Sequence, residues 1–155
     1  MDSKLTKPFQ IIICGGSAGI LCFKLPRGTA DFDVLEAYPD LSELKPFIDE
    51  IGKKYDLIDN WLNDSANGFK DFLSPTFRNR LIDVPCDCKM LKVTSISRGD
   101  YFTMKLASDR EQDFIDIKDY KLNSEELMIV AENIECISRH NRGIANKMRL
   151  MLKDF

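Results

Sequence analysis

The chain has 155 residues, 44% hydrophobic and 30% charged, which suits one globular domain able to bury a core. A net charge of -3 and a pI near 5.2 argue against a broad electrostatic nucleic-acid surface, and no apolar run is long enough to cross a bilayer. Cys14, Cys22, Cys86, Cys88 and Cys136 are an odd set without framework spacing, and a single histidine leaves a closed zinc site hard to assemble, so reduced thiols in a cytoplasmic protein are expected.

Lys4 and Lys7 ahead of an apolar stretch loosely imitate a secretory leader. Gly15-Gly16 interrupts that stretch, however, Asp2 lies in the basic region, and no small-x-small cleavage site follows. The apolar run 9–14, bounded by two glycines, predicts a buried strand. A short helix is expected from Ser17, a good N-cap, ending by Leu25 because Pro26 follows. Residues 30–35 alternate acidic and apolar side chains and predict a second strand. Leu41, Leu44, Phe47, Ile48 and Ile51 recur at helical spacing, with Pro46 fixing the start and Gly52 the end.

Residues 56–77 read as irregular, and 80–84 and 90–96 as strands broken at Pro85. Ser97-x-x-Asp100 and Ser108-x-x-Glu111 each fit a capping box and predict two helices with a break near Ser108. Asn123-x-x-Glu126 opens a third helix, and a basic last helix is expected over about 140–152. The fold class is therefore α/β in a single domain, 1–155: a mixed sheet with flanking helices over about 9–96, then a helical extension over about 97–155.

Chemistry concentrates between Gly15 and Asp33. Residues two apart on a strand share a face, so Asp31 and Asp33 present paired carboxylates, which Mg2+ (or Mn2+) would compensate. Gly15-Gly16-Ser17 stands at a strand-to-helix turn, where backbone N–H groups and the helix dipole favour an anion. Arg27 and Thr29 lie on the loop leading back to the carboxylates. Phosphate cradle, cation and metal ligands are the parts that phosphoryl or nucleotidyl transfer needs.

Gly15-Gly16-Ser17-Ala18 followed by Arg27-x-Thr29-x-Asp31-x-Asp33 resembles the nucleotidyltransferases of the AbiEii/MNT toxin type. Trp61-Leu62-Asn63-Asp64, and Met104-Lys105-Leu106-Ala107 with Arg110-x-x-Asp113-x-x-Asp116-Ile117, are similar to further segments of that family in the same order. The resemblance implies an NTP substrate held at its β- and γ-phosphates by Gly16 and Ser17. Asp31 and Asp33 would bind Mg2+, and Lys105 and Arg110 would stand near the triphosphate, anchored by Asp113 or Asp116. It also implies a hydroxyl acceptor on tRNA, other RNA or protein, and an antitoxin partner. Enzymes of this fold add a third carboxylate on a neighbouring strand, for which Asp83 is the candidate, with Asp87 close by.

Two rival readings stay open. One is an NTP-binding or interaction module that does no chemistry, should the third carboxylate be missing. The other is a flavin-type dinucleotide turn at residues 11–19 with Glu36 as the ribose-binding acid, against which Cys14 occupies a glycine position and Pro26-Arg27-Gly28 breaks the helix. Trp61 is expected to pack rather than stack a base, and no nucleophile accompanies His140.

Overall fold

The computed structural model describes residues 2–108 and 110–155. The chain forms two compact units, residues 1–67 with 81–96 and residues 68–80 with 97–155. The last strand ends at Ser95 and the next helix starts at Arg98, and residues 68–80 belong to the same unit as 97–155.

The first unit holds the mixed sheet, in the order β3-β2-β1-β5-β4. The strands are β1 (Phe9–Ile13), β2 (Phe32–Tyr38), β3 (Leu62–Asn63), β4 (Ile82–Asp83) and β5 (Leu91–Ser95). Central β1 is the continuous apolar run, and Ile11, Ile12 and Ile13 are all buried because both faces of a central strand are covered. It runs antiparallel to β2 and parallel to β5; β2 is parallel to β3 and β4 antiparallel to β5. The antiparallel β1–β2 pair excludes the dinucleotide reading, which requires two parallel strands joined by a crossover helix.

Helix α1 (Gly15–Phe23) starts two residues earlier than its serine suggests. Its N-cap is Cys14, in extended conformation, and Ser17 lies inside the first turn. Helix α2 (Lys45–Tyr55) follows a 3-10 turn over Leu41–Leu44 and passes through Gly52, ending at Asp56 with φ 52°. Gly52 is small for packing rather than for capping, since a Cβ there would stand 3.3 Å from two ring atoms of Trp61.

The second unit contains α3 (Arg98–Ala107), α4 (Glu111–Ile117), α5 (Ser124–His140) and α6 (Arg142–Met151). Helix α3 packs on each of the others, with Tyr101, Phe102 and Leu106 fully buried. Each such side chain contributes roughly 1.5–3 kcal/mol by leaving water. Gly99 lets α3 approach α5, because a Cβ there would meet the Ile129 side chain at 2.9 Å.

The caps are mixed. Asn123 and Glu126 form the full reciprocal box. Ser97 Oγ accepts from the Asp100 amide at 3.2 Å, but Asp100 is one carbon shorter than Glu and takes the Ser97 hydroxyl instead, at 2.6 Å. Ser108 does not cap α4, whose N-cap is Arg110. Among the described residues no helix is long and apolar enough to cross a membrane.

Candidate active site

The site of the first unit begins where β1 hands over to α1. Cys14 continues the β1–β2 ladder by donating its N–H to Asp33 O at 2.9 Å, and Gly15 then turns the chain into the helix with φ +58°. L side chains are strained in that left-handed conformation. A Cβ on Gly15 would also fall inside the Asp33 carboxylate, 2.9 Å from Cγ and closer still to Oδ2. Gly16 is closed in the same way from the other side, since its Cβ would stand 2.6 Å from Thr29 Oγ1. Thr29 in turn donates to Asp31 Oδ1 at 3.0 Å. The two glycines thus bring the N-terminus of α1 against the carboxylate-bearing segment with no side chain between them.

Pairing defects aim these groups. The register of β1 against β2 slips between Ile12 and Ile13, which face Glu36 and Val34, so Leu35 is the extra residue of a bulge. Val34 and Leu35 are consequently both fully buried, although strict alternation would expose one of them. Asp33 lies on β2 just before the bulge, whereas Asp31 precedes the strand in a bend, so the acid pair spans a strand start and not a strand face. Ser17 Oγ donates to Cys14 O at 2.9 Å and is buried, which leaves its backbone N–H as the group it can offer an anion. Arg27 is half-buried and donates to Gly28 O at 3.2 Å.

The neighbour of Asp33 across the sheet is Asn63, in parallel register on β3. Asn63 Oδ1 accepts from the Ser65 amide at 2.9 Å, and its amide nitrogen donates to Asn60 O at 3.2 Å. The preceding Trp61 is a packing residue: its indole donates to Ile48 O at 3.0 Å and its ring meets Phe32 edge-on at 6.3 Å. Asp83 lies elsewhere. It is on β4, three strands from β2, which at about 4.8 Å per strand is roughly 14 Å away. Its side chain is 81% exposed and pairs with Lys92 at 3.5 Å. The structure therefore gathers Gly15, Gly16, Thr29, Asp31 and Asp33 and leaves Asp83 apart. Among the described residues no three His, Cys, Asp or Glu side chains converge where one metal could be held.

Lys105 and Arg110 belong to the second unit. The Lys105 amine, 5% exposed, is held by Asp113 and by Asp116, the latter at 2.8 Å, while exposed Arg110 reaches Asp113 at 2.7 Å. Burial alone would raise the Asp113 carboxyl. Hydrogen bonds from Lys105 and Ser108, with the charges of Lys105 and Arg110, outweigh it and hold Asp113 below its ordinary range.

A second buried network has almost no local signature in the sequence. Arg80 grips fully buried Asp100 with two nitrogens at 2.8 and 2.7 Å, and Asn133 donates to the same carboxylate at 2.9 Å. The Ser97-x-x-Asp100 spacing is its one visible trace, and nothing local joins Arg80 or Asn133 to it.

No curated protein and no solved structure matches this chain. One family model does, over residues 2–149, nearly the whole length and across both units, and its description is a nucleotidyltransferase of unknown function (DUF6036). The chain belongs to this nucleotidyltransferase family.

Proposed function

We propose that the protein transfers a nucleoside monophosphate from an NTP to a hydroxyl-bearing acceptor on RNA, tRNA included, or on protein, in the manner of an AbiEii/MNT-type toxin restrained by an antitoxin. The observation that carries this is the closure of Gly15 and Gly16 on Asp33 and Thr29. A helix N-terminus attracts phosphate, yet this one already has a carboxylate against it. A triphosphate reaching those amides meets Asp33 first, and a divalent cation between the two removes the repulsion.

The donor set fits such an ion. Asp31 and Asp33 offer hard oxygens, as Mg2+ prefers, and Mg2+ completes its shell with water and phosphate. Bound there, Mg2+ would supply charge neutralisation at the phosphates and a more acidic attacking hydroxyl. The protein's own groups do the rest. The Gly16 and Ser17 amides orient the phosphate tail, Thr29 fixes Asp31 by its hydrogen bond, and Arg27 provides a cation on the same loop. The acceptor oxygen bonds to the α-phosphorus, the bond to the bridging α–β oxygen breaks, and pyrophosphate leaves. The hydroxyl proton passes to a neighbouring carboxylate or to water.

One observation favours a second reading, an NTP-binding module without turnover. The residue beside Asp33 is the amide Asn63, and Asp83 is three strands from β2, so neither is placed as a third carboxylate. A single experiment separates the two. The protein is incubated with each of four labelled NTPs, Mg2+ or Mn2+ and total RNA, beside an Asp31→Ala/Asp33→Ala control. Label on RNA or protein that vanishes in the control supports transfer. Metal-dependent NTP binding without label supports the module, and loss of both overturns the assignment of Asp31 and Asp33.

A further inference from the structure

Outside this site, the loop joining β4 to β5 carries two thiols two residues apart. Its ends are fixed. Val84 N–H donates to Val93 O at 3.0 Å, and Asp83 pairs with Thr94 in the antiparallel ladder. The Asp2 carboxylate fixes its β5 end further, accepting from the amides of Lys89, Met90 and Leu91 at 3.0, 2.7 and 2.9 Å. Those hydrogen bonds from the amides, Lys89 first, hold Asp2 below the ordinary carboxylate range, so the clamp persists at neutral pH.

Within this clamped loop Cys86 is exposed and its thiol donates to Leu91 O at 3.7 Å, while Cys88, two residues on, is half-buried. A cavity of about 310 Å3 adjoins both, lined among others by Phe9, Val84, Lys89 and Lys92. Asp83 lines the same cavity and engages Lys92 at 3.5 Å, which leaves Lys89 as its other cation.

We propose that Cys86 and Cys88 are a reversible dithiol, closed to a disulfide by a low-molecular-weight disulfide that reaches them through this cavity. Exposed Cys86 gives its proton to water and attacks one sulfur of the reagent, forming a mixed disulfide and expelling the first small thiolate, which takes up a proton. Cys88 then loses its proton to water and attacks the Cys86 sulfur, and the second small thiol leaves after taking up a proton. Two protein thiols are oxidised by two electrons, and one external disulfide is reduced to two thiols.

The order of attack follows from the pair itself. Hydrogen bonding with Cys86, then burial, push the Cys88 thiol up to about 11, so Cys88 keeps its proton while Cys86 reacts. Formation of the mixed disulfide consumes the Cys86 thiol and leaves Cys88 to close the ring. The other cysteines lack this arrangement: Cys14 is fully buried with its thiol on Asp33 O, and neither Cys22 nor Cys136 has a cysteine at the i±2 position.

The test uses the reduced full-length chain under native conditions with glutathione disulfide as the probe, followed by acid quench, intact mass and peptide mapping. The expected product has lost two hydrogens, bears no adduct and maps to Cys86–Cys88. It should form about tenfold or more faster than any modification of Cys22 or Cys136, as expected for exposed, preorganised thiols. Cys88→Ser should stop at a glutathione adduct on Cys86, and Cys86→Ser should leave Cys88 reduced over the same period. A lasting adduct on wild-type Cys86, or oxidation of Cys22 or Cys136 ahead of the pair, overturns the proposal. Unchanged circular dichroism of both variants guards against misfolding.

Discussion

Gly15→Ala tests the closure of the turn on Asp33 directly. Two costs add. The alanine must adopt φ near +58°, which costs about 1–2 kcal/mol for an L residue. Its methyl must also displace an Asp33 carboxylate that lies well inside the 3.4 Å where ordinary contact begins, and overpacking of this kind costs about 1–3 kcal/mol. The variant should therefore lose about 2–5 kcal/mol in urea unfolding. Removing the obstacle separates the terms. In an Asp33→Ala background the carboxylate is gone and only the residue 33 Cβ, 3.1 Å away, has to give, so the same substitution should cost little more than the backbone part, with a coupling of about 1–3 kcal/mol across the double-mutant cycle. Gly28→Ala is the control: nothing lies within 4 Å of its Cβ and its φ is ordinary, so stability should change by less than about 1 kcal/mol. Additive effects of Gly15→Ala and Asp33→Ala would refute the close approach, and with it the packing role of the paired glycines.

Lys105→Met leaves the buried carboxylates of Asp113 and Asp116 without their shared cation and should cost about 3–5 kcal/mol in urea unfolding, whereas exposed Arg110→Ala should cost less than about 1 kcal/mol; equal losses would contradict the burial difference. The lowered Asp113 carboxyl sets a pH limit. Its stabilisation is complete above the ordinary value of 3.8 and is lost as pH falls through the lower folded value, so Asp113→Asn should flatten the acid limb of the stability curve and leave its slope at neutral pH unchanged. Asn63→Asp sets a third carboxylate beside Asp33 and should destabilise the metal-free protein by about 0.2–1 kcal/mol, with Mg2+ restoring the loss; equal destabilisation with and without Mg2+ would argue against a cation at this position.

What the sequence made legible is what lies close together in it. Residues 9–14 announce a central strand because the run is apolar almost throughout and buried on both faces, and residues 123–126 announce a helix start because both halves of the capping box are local. Gly52 shows the limit. A glycine near the end of a helical pattern reads as a stop, but here the space that it leaves is filled by Trp61 from another segment. Strand direction is likewise silent in the pattern. Cys14 and Pro26-Arg27-Gly28 argue against a parallel dinucleotide crossover over residues 9–33, and the antiparallel β1–β2 pairing excludes it.

The same distinction divides the candidate site. Gly15, Gly16, Thr29, Asp31 and Asp33 are brought together by one strand, one short helix and one return, so their spacing carried the geometry. The third acid depends on which strand lies beside β2. An acidic residue in an apolar run, as in Leu81-Ile82-Asp83-Val84, marks a strand but not its neighbours, and the actual neighbour, β3, is two residues long and has no periodicity to detect. Sheet order therefore shifts the question of activity from Asp83 to Asn63. An amide beside Asp33 can offer a cation one neutral oxygen but cannot take a proton from an attacking hydroxyl. In the proposed transfer that proton leaves by Asp31, Asp33 or water, and Asn63→Asp should raise metal affinity more than turnover.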